Sequence, residues 1–254
     1  MKSTNYSSRI QIILLVTLIF CSGIVFSQTQ PINQVDASGR KQGVWKKYDG
    51  TLLISKGTYK DGLPEGEFTY YYENNIVKAV SVFSEKAQKV FTISYYHSGG
   101  KMSEGNYINK QKDGEWKYYF ENKVLMSVEH YVKGSKEGDL TSYYLKGSVN
   151  LEAHYLNNKK TGIWNSYFPD GPLKSSITYQ NNLPEGKTEF YFPSKKIMIS
   201  GSYTKGLQEG KWLYYDESGQ VIRTEIYITG KLMSRNGTVP MVNDTIVLPE
   251  HPLF

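Results

Sequence analysis

From residue 59 onwards, the apolar and polar positions of this chain repeat with a period of 24 residues. Two aromatic columns, 12 residues apart, show the period most clearly. The first, the A column, consists of Tyr59, Phe83, Tyr107, Tyr131, Tyr155, Tyr179, Tyr203 and Tyr227. The second, the B column, consists of Tyr71, Tyr95, Tyr119, Tyr143, Tyr167, Tyr191 and Tyr215. A fixed spacing sustained over this length indicates one short structural unit copied along the chain, and therefore a repeat array.

Each repeat carries the patterns of two strands and two turns. The stretch Trp116–Phe120 is rich in aromatic side chains, which suit a pleated sheet. Its partner, Leu125–Tyr131, places every second residue on one face if it is a strand. Asp170-Gly171 in one connection supplies the positive φ that a tight turn needs. The other connection is predicted over residues 59–66, which include two further glycines.

The pattern therefore predicts an all-β fold, because glycine, proline and asparagine recur too often for an uninterrupted helix after the first residues. About eight hairpins, some sixteen strands, would pair side by side as one elongated antiparallel β-hairpin array. A single sheet of that length must twist. The repeat at 83–106 departs from the pattern. Val90 stands in the column where the other repeats have glycine, and Thr92 stands in a column where most of the other repeats have a larger side chain, such as tryptophan. We expect that unit to be distorted.

The segment 203–215, YTKGLQEGKWLYY, resembles the MORN repeat in its bacterial variant, the type also found in YwqK-like antitoxins. The resemblance extends over residues 39–233 in 24-residue steps. It implies an antiparallel β-hairpin array with a role in protein interaction, scaffolding or attachment to a lipid surface. It implies no catalytic residues.

The ends of the chain differ from the array. Residues 1–27 resemble a signal peptide, with Lys2 and Arg9 before an apolar core and a small residue, Ser27, at the expected cleavage point. An uncleaved anchor or lipid attachment at Cys21 are the alternatives. Residues 28–38 form a lead-in, and residues 234–254 form a C-terminal cap or a partner-binding tail. We expect an exported protein located in the periplasm, on the outer surface or in the medium.

Charge and motifs exclude several classes of function. The net charge of +6 falls to +4 if Lys2 and Arg9 are removed (6 − 2 = 4), and acidic residues are interspersed throughout, so nucleic acid is not the expected partner. No common hydrolase, metalloprotease or phosphate-loop motif is present. His130 and His154 occupy equivalent positions without a third ligand at that position, so we predict no metal site. We predict no cofactor and no enzymatic activity.

One aromatic face is a candidate for binding. Trp116, Tyr118 and Phe120 alternate along their predicted strand and would share a face, whereas the A and B columns are predicted to be core. Exposed aromatic side chains are typical of interfaces. The candidate binding face comprises Trp116, Tyr118, Phe120, Trp164, Phe168, Trp212 and Tyr214.

The predicted function is a non-enzymatic interaction or scaffolding module of the cell envelope, with an unknown protein partner. The alternatives are a carbohydrate or cell-wall binding module, attachment to a lipid surface, and an antitoxin-like protein that binds a toxin. The sequence does not specify the oligomeric state.

Overall fold

The computed structural model describes residues 31–237, which form one open antiparallel sheet of eighteen strands. The first nine strands are β1 (Gln34–Val35), β2 (Lys41–Asp49), β3 (Leu52–Lys60), β4 (Leu63–Tyr71), β5 (Val77–Ser84), β6 (Lys89–Tyr95), β7 (Lys101–Ile108), β8 (Gln111–Tyr119) and β9 (Leu125–Val132). The others are β10 (Ser135–Tyr143), β11 (Val149–Leu156), β12 (Lys159–Tyr167), β13 (Leu173–Gln180), β14 (Leu183–Tyr191), β15 (Ile197–Thr204), β16 (Leu207–Tyr215), β17 (Val221–Ile228) and β18 (Lys231–Gly237). One turn of 3₁₀ helix, Glu73–Asn75, follows β4.

Each strand from β2 to β17 pairs with the strand before it and the strand after it along the chain, and β1 and β18 form the two edges. The all-β hairpin array predicted from the sequence is thereby confirmed. Strands β3–β18 are the expected sixteen, and β2 comes from the incomplete copy around Gly43. The lead-in contains the two-residue strand β1, and β18 continues through Gly237. The predicted signal peptide and the segment after Gly237 lie outside the described residues.

The predicted connection at 59–66 is much shorter in the structure. β3 runs to Lys60 and β4 starts at Leu63, so the turn itself contains two residues. In the equivalent hairpin β9–β10, Lys136 pairs with Tyr131 but Leu140 pairs with Glu129, so β10 carries two additional residues between these pairs. Gly138 lies in that interval with φ of 84°. The glycine column therefore marks β-bulges inside strands, where the left-handed backbone of the bulge favours glycine.

The repeat without this glycine confirms the role of the bulge. Strands β5 and β6 pair in continuous register, with Phe83 opposite Val90 and Ser84 opposite Lys89. In other repeats the bulge takes up two residues within a strand. Here those two residues belong to the turn, so the turn spans four residues, 85–88. Val90 thus changes the hairpin locally, as predicted, while the 24-residue spacing of the array is preserved.

The core of the sheet lies on one face, which we call the ring face. Fully buried side chains, apart from Thr69, belong to alternate strand positions on this face, as for Trp116 and Leu140. Two clusters illustrate the packing: one contains Leu140, Ala153 and Trp164, and the other contains Phe190, Ile199, Tyr203 and Trp212. On this face, large aromatic side chains lie across neighbouring strands and cover the smaller side chains there, so a core forms without a second sheet.

Candidate functional site

One residue from each of the strands β2–β17 contributes to a row across the middle of the ring face. This central row consists of Trp45, Gly57, Phe68, Ser81, Thr92, Gly105, Trp116, Glu129, Leu140, Ala153, Trp164, Ile177, Thr188, Gly201, Trp212 and Glu225. A large ring on every fourth strand, at Phe68, Trp116, Trp164 and Trp212, gives the row a second period of 48 residues. This longer period was not predicted, although the alternation of these rings with Thr92, Leu140 and Thr188 is visible in the sequence.

The large rings lie flat over very small residues of the preceding strand. A Cβ atom at Gly105 would be 2.3 Å from Cδ2 of Trp116, and a Cβ at Gly201 would be 2.3 Å from Cδ2 of Trp212. The indole N–H of Trp116 donates to the carbonyl of Asn106 at 3.0 Å. The rings of Tyr107 and Tyr131 meet Trp116 edge-on, with centroids 4.9 and 6.5 Å away. The indole of Trp116 is therefore held by close packing and by one hydrogen bond.

The tryptophans of the predicted binding face are core residues, and their predicted exposure is wrong. Trp116, Trp164 and Trp212 are 3%, 4% and 2% exposed. The alternation of Trp116 with Tyr118 is correct, because their rings stack with centroids 6.2 Å apart. The alternation could not show that a glycine or alanine on the preceding strand, such as Gly105 or Ala153, lets each indole lie against the sheet rather than project from it. Tyr214, like Tyr118, is half-buried on the same face.

Phe120 and Phe168 do not share a strand face with the tryptophans, so this part of the prediction is also wrong. β8 ends at Tyr119 after a shift of register, and Phe120 begins the turn, where its N–H donates to the carbonyl of Val124 at 2.8 Å. Phe168 is in the same position after β12. Both side chains are half-buried at the end of the hairpin.

The B column lies on the face opposite the ring face and is half-buried rather than core. Tyr119 donates its hydroxyl hydrogen to Glu104, and Tyr167 donates to Glu152, each at 2.5 Å. Partial burial and then the neighbouring carboxylate raise the pKa of each tyrosine to about 12. The A column lies on the ring face, where Tyr131 and Tyr203 are buried at 8% exposure and its other six residues are half-buried, so only these two occupy the core position predicted for the column.

A half-open cavity of about 300 Å³ interrupts the ring face where the central row has Leu140 between Trp116 and Trp164. Leu140, Ser127 and Ser142 are buried and form its floor. Its walls are the rings of Trp164 and Tyr155, and of Tyr118 and Tyr131. Of the predicted binding residues, the cavity thus brings together Tyr118 and Trp164.

One end of the cavity is polar. Glu129 accepts a hydrogen bond from the hydroxyl of Tyr131 at 2.5 Å, and its other oxygen lies 3.2 Å from Nζ of Lys136. Burial first, and then the Glu129 carboxylate, raise the pKa of Tyr131 far above its ordinary value, so the hydroxyl remains a donor. The ammonium of Lys136 also lies 5.4 Å from the ring centroid of Tyr155. The cavity therefore combines aromatic walls with a paired carboxylate and ammonium.

A buried carboxylate, Glu225, lies in the central row on β17 and is 1% exposed. It accepts hydrogen bonds from Tyr214 at 2.6 Å and Tyr227 at 3.0 Å, and Nε of Arg235 lies 2.7 Å away. Burial alone would raise its pKa. The two hydroxyls and the positive charges of Arg223 and Arg235 outweigh burial, so the pKa of Glu225 is below its ordinary value.

This network predicts a loss of stability in acid. Because the pKa of Glu225 is lower in the folded than in the unfolded chain, the carboxylate stabilises the fold above its unfolded pKa of about 4.3. That contribution disappears as the pH falls through the folded pKa. We expect the difference in Tm between wild type and Glu225→Gln to be largest near pH 7 and to shrink as the pH falls below about 4.3. Glu217→Gln, in an exposed turn, is the control, and a Glu225→Gln difference that stays constant over this range would contradict the expectation.

His130 and His154 lie on the face opposite the ring face, on the two strands beside Asp139. Nδ1 of His154 is 2.7 Å from the Asp139 carboxylate, and Nδ1 of His130 is 3.0 Å from the Asp139 carbonyl oxygen. Within residues 31–237, no group of three or more histidine, cysteine or acidic residues could hold a metal ion. The same part of the chain contains no helix long and apolar enough to cross a membrane.

An open sheet assembled from copied hairpins, with its core on one face, defines a β-hairpin repeat protein. The family model of the MORN repeat variant matches four segments, residues 64–84, 112–133, 160–181 and 208–228. The chain is a MORN-repeat protein of this variant type. The matched segments are 48 residues apart, and each contains a large ring of the central row. The all-β MORN repeat is not a known class of enzyme.

Comparisons with individual proteins add little. No curated protein matches the chain. The crystal structure of TcdB2-TccC3 aligns with 76% of this chain at 10% identity and a TM-score of 0.18. This chain spans 16% of the length of that protein chain. A likeness at this level carries no argument about function.

Proposed function

We propose that this chain is an exported, non-enzymatic MORN-repeat protein that binds a protein partner in the cell envelope as an interaction or scaffolding module. The observation that carries the proposal is the cavity at Leu140, a half-open aromatic recess on the ring face. Interfaces concentrate their binding energy where aromatic side chains meet in a recess that excludes water. A continuous ladder of backbone hydrogen bonds holds this recess in place, which limits the entropy lost on binding.

The sequence supports export, because residues 1–27 have the charge, apolar core and cleavage point of a signal peptide. The proposed destinations are the periplasm, the outer surface or the medium. The chain after Ser27 contains no cysteine, so its stability comes from packing and hydrogen bonds, as the central row illustrates.

The burial of the tryptophans favours a protein partner over a glycan. A sugar ring stacks on an aromatic side chain only if the flat face of that side chain is accessible. Trp116, Trp164 and Trp212 are at most 4% exposed, so they offer no such platform. A side chain of a protein partner can instead enter the recess between them.

Site-specific crosslinking in the producing cells tests this function. A photoreactive residue replaces Met126, which lines the cavity and is half-buried, and the control position is Glu217 in an exposed turn. We expect one protein to be captured in stoichiometric amount at position 126 and not at position 217. Capture of glycan or lipid alone at position 126, or no capture there, would refute the proposed function.

A further inference from the structure

The cavity lies where two positions of β10 carry side chains smaller than the rings of the adjacent strands around them. Leu140 stands in the central row between Trp116 and Trp164, each one repeat away. Ser142 corresponds to Tyr118 in the preceding repeat and to Phe190 two repeats later. The flanking rings remain in place around these smaller residues. The recess thus lies over a small position of the 48-residue period, and Ser142 leaves it open where Phe190, at the same phase of the period, supplies a buried ring.

The walls of the cavity favour an aromatic occupant. Tyr155 meets Trp164 edge-on with centroids 5.3 Å apart, and neighbouring pairs along the row have similar geometry, as for Tyr107 with Trp116 at 4.9 Å. A ring placed over Leu140 would lie between Trp164 and Tyr131 and could make the same edge-to-face contacts. A volume of about 300 Å³ is at the lower end of the range for small-molecule sites.

The polar end favours an occupant that is neutral and donates a hydrogen bond. Glu129 and Lys136 are paired, so their charges balance within the cavity. A carboxylate accepts several hydrogen bonds, and Glu129, with its side chain 14% exposed, retains capacity beyond the bond from Tyr131. A cationic ligand would compete with Lys136 for the carboxylate and for the ring of Tyr155.

We propose that this cavity receives the indole of a tryptophan from the protein partner, with its N–H directed at Glu129. An indole is neutral, aromatic and a donor without acceptor function, which matches the walls and the polar end together. This inference rests on the proposed function, because it names the group by which the partner is recognised.

Titration with N-acetyl-L-tryptophanamide tests the inference, with binding followed through backbone amide shifts of the full mature chain. We expect saturable shifts at Leu140, Ser142 and Tyr155, and weaker binding of N-acetyl-L-leucinamide. Leu140→Trp fills the cavity from the chain itself and is expected to weaken binding at least about tenfold. Thr92→Trp makes the same substitution two repeats upstream in the central row, and it is expected to leave the affinity within about twofold.

A second filling variant protects the test against a failure to fold. Ser142→Phe places a side chain that the chain already accommodates at Phe190, and it should also weaken binding about tenfold. Absence of binding to wild type, or binding that survives both fillings, overturns the inference. Crosslinking of a protein at position 126 with no indole binding would remove the indole inference and leave the proposed function standing. Indole binding without a captured protein would remove the proposed function.

Discussion

Replacing Trp116 with alanine is expected to lower the free energy of unfolding by about 4 kcal/mol. Trp116 is 3% exposed, lies over Gly105 and is contacted by the rings of Tyr107, Tyr118 and Tyr131. Its removal would leave a void that the backbone beneath it cannot fill, since the neighbouring strand has only a glycine there. Urea unfolding of the purified chain, monitored by far-ultraviolet circular dichroism, measures the change.

Trp116→Phe is the matched control for this prediction. The chain places Phe68 at the equivalent position, two repeats earlier, where its ring covers Gly57 in the same manner. We therefore expect the phenylalanine variant to recover more than half of the lost stability. Equal stability of the alanine variant and wild type would show that the central row is not the core of the sheet.

Replacing Gly201 with valine is expected to destabilise the fold by about 3 kcal/mol for the opposite reason, overpacking. A Cβ alone would lie 2.3 Å from Trp212, whose ring is 2% exposed and cannot move into solvent without losing its contacts. Ala153 occupies the corresponding place beneath Trp164, which shows that a single methyl group can be accommodated. Gly201→Ala should therefore cost much less than Gly201→Val, and the two Tm values measure the difference.

Ser202→Val tests whether the effect belongs to the ring face. Ser202 is the next residue of the same strand, so its side chain projects from the opposite face. We expect this variant to change stability by less than about 0.5 kcal/mol, because valine suits a strand and meets no buried ring there. Equal losses for Ser202→Val and Gly201→Val would show that valine acts through the strand backbone rather than through Trp212.

The sequence predicted much of the fold but little of the candidate site. Spacing predicted the hairpin array, because Asp170-Gly171 and the aromatic columns are local signals of turns and strands. The position of Phe120 was mispredicted because simple alternation ignores a shift of register at the end of β8. The exposure of Trp116 was mispredicted because it depends on Gly105, eleven residues away along the chain (116 − 105 = 11).

The sequence by itself determined the period, the strand pattern and the order of pairing, since short connections join each strand to the next. It also determined that Val90 would change its hairpin. Only the tertiary structure decided that glycine at the position of Gly138 forms a bulge, that Trp116, Trp164 and Trp212 are buried, and that a cavity opens over Leu140. These features depend on the sizes of side chains that come together across strands, and that juxtaposition arises only when the register is fixed.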